Sequence, residues 1–230
     1  MTKCTDQTLD MIKADFDRIA LLSEGRADHN DLYVNFLLRH LPLRLADTLE
    51  IGCGTGAFSR RLATRSERVL ALDLSPNMIR LAKDRSAKQS NIDFRCADAV
   101  TWNFQAEQFD CICSIATLHH LPTEPMLLKI KSALKVGGML LILDLFQADG
   151  LIDTLSNILA IPVSVGLRFV TTGHLRPPKE VRKVWDEHGL SDTYLTVAQV
   201  RNLCAKHLPG AGVRKHLLWR YSIDWKKTVS

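Results

Sequence analysis

Leu49-Glu50-Ile51-Gly52-Cys53-Gly54-Thr55-Gly56 is an apolar strand that carries an acid, breaks into three alternate glycines and opens into a helical run. Glycine has a physical reason to recur here. Only a residue without a Cβ lets a tight turn take positive φ angles and lets a ligand lie against the bare backbone. A G-x-G pattern alone fits any sharp strand-to-helix turn, so its surroundings decide what it means. Outward from the loop, β-rich runs at Thr48–Ile51, Val69–Asp73, Ile92–Cys96, Phe109–Ile115 and Met139–Leu145 alternate with helical runs at Phe58–Arg65, Asn77–Lys88 and Pro125–Lys135. That alternation predicts an α/β protein, with a mostly parallel sheet and helices on both faces. Ligands of such sheets sit at the carboxyl ends of the strands.

Asp73 ends the second strand, twenty-one residues after Gly52. A carboxylate there can accept both hydroxyl hydrogens of an adenosine ribose, which points to a nucleoside cofactor. A nicotinamide dinucleotide would call for G-x-G-x-x-G, and here the third glycine comes one residue early. Glu50 would repel a diphosphate and suits a ligand bearing an ammonium and a sulfonium; the bland alternative is a local backbone hydrogen-bonder.

With these residues the chain resembles the class I S-adenosylmethionine-dependent methyltransferases. Leu49 to Gly56 matches the family's first motif. Leu70-Ala71-Leu72-Asp73 followed by Leu74-Ser75-Pro76-Asn77-Met78 matches the second, and Arg95-Cys96-Ala97-Asp98-Ala99 the third. Phe109 to Leu121 and Leu134-Lys135-Val136-Gly137-Gly138-Met139-Leu140 complete the order. The resemblance implies a doubly wound, seven-stranded Rossmann-like sheet, with N-terminal helices and a helical insertion after the fifth strand. It implies S-adenosyl-L-methionine as cofactor, held by Glu50, Gly52, Gly54, Gly56, Asp73, Leu74, Met78, Asp98, Ala99 and Ile115. Asp98 would take the adenine amino group and Ala99 would make a backbone contact. The acceptor would be a small molecule of the kind methylated in ubiquinone and menaquinone biosynthesis. Such transfer is an in-line displacement in which the protein mainly aligns donor and acceptor. Where the acceptor must lose a proton, His119, following the fourth strand, is the candidate base or orienting group; a histidine that only supports neighbouring residues or caps a helix is the alternative. His29, Tyr33 and His174 are further candidates for the substrate wall.

The 230 residues are 46% hydrophobic and 24% charged, which fits one compact domain with trimmings. The expected division is a helical cap over 1–45, a cofactor core over 46–145, a substrate-side insertion over 146–195, and a last helix with terminal strands over 196–230. The acidic first twenty residues are unlike a secretion signal, so a cytoplasmic protein is expected. Six scattered cysteines without C-x-x-C spacing read as free thiols, with Cys111 and Cys113 on one face of a strand, and no metal is implied. Thr154 to Leu167 is uncharged and too short to span a bilayer; it fits a lid over an apolar pocket, a core helix or a dimer contact. Val181–Gly189 and Val197–Leu208 read as helices, and Val213 to Trp225, alternating at Leu217, Trp219, Tyr221, Ile223 and Trp225, as strand.

From Arg176 to Ser230 eleven Lys and Arg face five Asp and Glu, so the net charge of +5 is concentrated in this tail. A nucleic-acid methyltransferase gripping its substrate there is a rival reading. Against it, Ser114-Ile115-Ala116-Thr117 lacks the Asn/Asp-Pro-Pro-Tyr type motif of amino-group base methylation, and no Pro-Cys nucleophile is present. A cofactor-binding scaffold without turnover is a third reading.

Overall fold

The computed structural model describes residues 2–22, 31–150, 160–166, 169–170, 173–176, 178–189 and 193–229. In chain order these form α1 (Thr2–Leu22), α2 (Asp31–His40), β1 (Leu45–Ile51), α3 (Ala57–Leu62), β2 (Ser66–Asp73), α4 (Pro76–Arg85), β3 (Ile92–Cys96) and β4 (Phe109–Ile115). A 3₁₀ turn (Leu118–His120), α5 (Thr123–Ala133), β5 (Leu134–Leu145), α6 (Lys179–Gly189), α7 (Val197–His207), β6 (Gly212–Lys215) and β7 (Arg220–Lys226) follow. The sheet runs β3-β2-β1-β4-β5-β7-β6, and only β7 is antiparallel to its neighbours. The expected doubly wound, mostly parallel seven-stranded sheet is therefore present.

Strand alternation builds both layers, because successive side chains point to opposite faces. On one face Ile112, Leu140 and Ile142 pack with Met126, Leu127 and Ile130 of α5 and Val200 of α7. On the other, Cys111, Cys113, Leu141 and Leu143 pack with Leu37 of α2, Phe58 and Leu62 of α3, and Ile79 of α4. Cys111 and Cys113 thus share a buried face, their sulfurs 3.5 Å apart.

Local signals set the helix ends. Pro76 opens α4 behind Ser75, whose side chain accepts the Met78 N–H. Thr196 and Gln199 form a reciprocal capping box on α7.

The segment read as strand from Val213 to Trp225 is instead two strands of a hairpin. Lys215 pairs with Tyr221, and Leu218 and Trp219 turn the chain at φ 58° and 59°. The turn shifts the phase of the alternation: Leu218 is 1% exposed, whereas Leu217 is 42% exposed. Alternation on both sides of a tight turn looks continuous in sequence, which is why the reversal was hidden. The sequence also predicts a turn at Gly25–Asn30; that turn and half of Thr154–Leu167 lie outside the described residues, and residues 160–166 are helical. No helix among the described residues is long and apolar enough to cross a membrane.

The sheet order reverses direction between β1 and β4. Ile51 lies in register with Leu72 of β2 and Ser114 of β4, so the segments after these three strands meet at one edge, where the sheet leaves a crevice.

Candidate active site

Three left-handed glycines make the turn after β1, with φ of 75° at Gly52, 50° at Gly54 and 74° at Gly56. Each does different work. A Cβ on Gly52 would lie 2.0 Å from Oγ1 of Thr117, and one on Gly56 2.9 Å from the Phe94 ring, so these two let the chain pack. A Cβ on Gly54 would meet nothing within 4 Å. Gly54 therefore presents bare backbone to open space, as a ligand-facing glycine should.

Asp73 locks this turn from the next strand. Its Oδ2 accepts the Gly54 N–H at 2.7 Å and its Oδ1 accepts the Ser75 N–H at 2.9 Å. A carboxylate has about four lone-pair sites, so acceptor capacity remains for a ligand's hydroxyls. Burial raises its pKa above the usual carboxylate value, and the two amide donors oppose that rise. Glu50 is only 2% exposed and accepts the Ser59 hydroxyl of α3 at 2.5 Å. Its partner is thus a side chain, not the local backbone. Burial pushes its pKa up to about 8, with the Ser59 bond acting against this and the nearby Asp73 charge adding to it.

Beyond β3, Asp98 Oδ1 accepts the Val100 N–H at 2.8 Å and its carbonyl accepts the Trp102 N–H at 2.9 Å, closing a tight turn at the same sheet edge. Ala99 is buried in that turn. Leu74 and Ile115 are half-buried at the ends of β2 and β4. The Met78 side chain packs with Ile19 and Ala20 of α1 and Val184 of α6, which places it against the N-terminal helix.

His119 stands on the 3₁₀ turn after β4 with its side chain 6% exposed. Its Nδ1 is 2.5 Å from Oδ1 of Asp144, a fully buried acid near the end of β5. Asp144 also accepts the His119 N–H at 2.8 Å and the Leu145 N–H at 2.9 Å. Because the carboxylate accepts, this network assigns the proton to Nδ1, and in the neutral ring the basic lone pair belongs to Nε2. The ring lies 3.9 Å from that of His120 and 5.0 Å from that of Tyr194, centroid to centroid. A cavity of about 110 Å³ adjoins it, walled by His119, Leu121, Thr123, Leu145, Thr193, Tyr194, Leu195 and Tyr221.

The weaker candidates divide. Tyr33 donates its hydroxyl to the Leu217 carbonyl at 2.7 Å, which ties α2 to the terminal hairpin. His174 is exposed, and His29 lies outside the described residues. Sequence reasoning missed Asp144 and Tyr194. Asp144 left a signal, an acid within the apolar run Leu140 to Phe146; Tyr194 left none. It also missed Asp17 of α1, which accepts the Ser75 hydroxyl at 2.5 Å and the Asn77 N–H at 3.2 Å, and so docks α1 beside the Asp73 loop. Basic residues of the tail are drawn into separate ion pairs: Lys206 with Glu124, Arg214 with Asp224 and Lys227 with Glu107.

Comparison with known proteins agrees with this geometry. Residues 48–138 match the family model of a methyltransferase domain. A ubiquinone biosynthesis O-methyltransferase of Coxiella burnetii is 31% identical over 113 residues, which is 48% of this chain and 48% of that protein; the chain spans about half the length of such curated relatives. An uncharacterised methyltransferase of Mycobacterium bovis is 28% identical over 82% of this chain and 91% of its own. Among solved structures, the N-methyltransferase NodS of Bradyrhizobium japonicum, in complex with S-adenosyl-L-homocysteine, superposes with a TM-score of 0.62 at 17% identity, covering 96% of this chain and 98% of that one. Residues 48–138 of this chain thus match a methyltransferase-domain family, and they are carried on the fold that the solved methyltransferase structure shares.

Proposed function

We propose that the protein is an S-adenosylmethionine-dependent methyltransferase that acts by in-line displacement on a small organic acceptor. The observation that carries this reading is Gly54: a left-handed glycine opening onto empty space, its amide held by Asp73. The residues present suit the cofactor. Gly54 would line its path, Asp73 would receive the ribose hydroxyls, and Asp98 would receive the adenine amino group through Oδ2. Glu50, once ionised, would supply negative charge to a cationic ligand. When bound, the cofactor supplies a methyl group on an electrophilic sulfonium.

The chain's own contribution is alignment, which can lower a barrier by roughly 7 to 11 kcal/mol when reactants are well oriented, and proton handling. His119, held in one tautomer by Asp144, takes the proton from a hydroxyl acceptor, and the adjoining cavity is the acceptor's place. Three leucines and the hydroxyl side chains of Thr123, Thr193, Tyr194 and Tyr221 wall that cavity. This lining suits a compact neutral group with a hydroxyl to offer, and oxygen methylation is the reaction it supports.

Incubation with methyl-labelled cofactor and a panel of phenols, alcohols and amines tests the reading. Label should move to a hydroxyl acceptor. His119→Ala should cut turnover by about 10²- to 10⁴-fold and leave cofactor affinity nearly unchanged. Unchanged turnover in that variant removes His119 from the chemistry, and failure of the wild type to bind the cofactor ends the proposal altogether.

A further inference from the structure

Lys129, on α5, is not part of any methyltransferase motif noted above, yet it reaches across to the turn after β3. Its ammonium donates to the carbonyls of Ala99 at 3.0 Å and Val100 at 2.6 Å. Phe104 lies under it, with the ring centroid 4.9 Å from Nζ, and Phe104 in turn stacks edge-on against Phe109 of β4. The arrangement solves a local problem. Asp98 closes the turn by accepting the Val100 and Trp102 amides, which leaves the carbonyls of Ala99 and Val100 without helix or strand partners. Carbonyls in such a position need a donor, and one ammonium satisfies both with charge-assisted bonds. Lys129 is therefore a strut between α5 and the turn that carries Asp98 and Ala99.

We infer that Lys129 is a positioning residue for nucleobase recognition: by holding the Ala99 and Val100 carbonyls it aims Asp98 Oδ2 at the exocyclic amino group of adenine. The inference rests on the proposed cofactor reading, and it adds a residue and a selectivity. A carboxylate accepts from a 6-amino group and repels a 6-oxo group, so the site should prefer adenine to hypoxanthine only while the turn is held. Partial burial lowers the Lys129 pKa, and the nearby Asp98 carboxylate opposes that.

The test is calorimetric titration of the full chain with S-adenosylhomocysteine and with its inosyl analogue. Wild type should prefer the adenine form by roughly tenfold or more, the worth of one charge-assisted hydrogen bond. Lys129→Met keeps the aliphatic stem and should weaken the adenine ligand about tenfold, while the inosyl ligand changes little, so the ratio collapses towards one. Lys129→Arg, which can donate to both carbonyls, should restore most of the ratio. A purely structural residue would weaken both ligands alike. If Lys129→Met does not fold, Lys129→Gln, which reaches one carbonyl, is titrated instead, and slow amide exchange at residues 98–102 of the ligand-free wild type is then also required. A variant that keeps the wild-type ratio, or a turn that exchanges freely, overturns the role of Lys129. A wild-type ratio near one overturns the adenine assignment of Asp98 and the role of Lys129 with it. Wild type that binds neither ligand overturns the cofactor reading itself, so the failures are distinguishable.

Discussion

Glu50 should make the protein less stable as pH rises, and its replacement should remove that dependence. An unfolded glutamate ionises around pH 4.5, whereas burial holds the folded carboxyl protonated up to about 8. Below pH 4.5 both states carry the proton and the residue costs nothing. Between about 4.5 and 8 the unfolded chain has released its proton and the folded chain has not, so stability falls by about 1.4 kcal/mol per pH unit, about 5 kcal/mol across the window. Above pH 8 the penalty is constant. With the side chain 2% exposed, there is little solvent screening to discount. Glu50→Gln keeps an acceptor for Ser59 and cannot ionise. Its added amide hydrogens carry a fixed cost, so the diagnostic quantity is the change in the stability difference between the two proteins with pH. Urea unfolding followed by tryptophan fluorescence should show Glu50→Gln gaining about 4 kcal/mol on wild type between pH 5 and pH 8. Asp73, whose pKa burial also raises, is common to both proteins and largely cancels. A difference that stays constant within about 1 kcal/mol, well inside the linkage expectation, would mean that Glu50 is ionised in the folded ligand-free protein, and the burial reasoning would be wrong. Under the proposed function, the ligand is the reason to keep so costly an acid. A cationic cofactor should draw the proton off, so its binding should tighten from pH 6 to 8 in wild type and be flat in Glu50→Gln.

Gly54→Ala should lower stability by only about 1 to 2 kcal/mol, the cost of a left-handed alanine, yet weaken cofactor binding roughly a hundredfold by putting a methyl where the proposed ligand would lie; equal binding would show that the loop faces something else. Gly52→Ala adds an overlap with Thr117 to its strained φ, so a loss of folded protein on expression is expected, and a normal melting curve would contradict the packing. Asp73→Ala removes the acceptor of the Gly54 and Ser75 amides as well as the proposed ribose partner, and titration should find affinity lower by roughly a hundredfold, as for losing two charge-assisted bonds. Asp144→Asn should depress turnover about 10²-fold or more. The double variant with His119→Ala should be no slower than the worse single one, because both changes disable one unit; additive losses would separate the two residues.

The sheet and the glycine turn with its strand-end acid were legible in sequence because both rest on short-range rules. Alternating apolar runs declare parallel strands. Glycines at Gly52, Gly54 and Gly56 declare a turn with positive φ, and Asp73 sits where the chain must return to the same edge. What each glycine does was not legible, since the near contacts that separate Gly52 from Gly54 come from Thr117, more than sixty residues away. Glu50 shows the same limit. Its acidity was visible, but its burial against Ser59, and the proton it therefore keeps, follow from how α3 packs on β1.

The proposed acceptor side depended on tertiary structure almost entirely. His119 was visible as a polar residue past a strand end, but its pairing with Asp144 arises only because β4 and β5 lie side by side and bring residues 25 positions apart within 2.5 Å. Lys129 and Asp17 looked like ordinary charges on helix surfaces until the folded chain set them on the loops after β3 and β2. Sequence patterning thus determined the five parallel strands, their order of appearance and the bare-backbone turn, because periodicity and missing side chains act within a few residues. Folding decided which buried acid meets which partner, because a charge removed from water is governed by whatever neighbours the packing supplies.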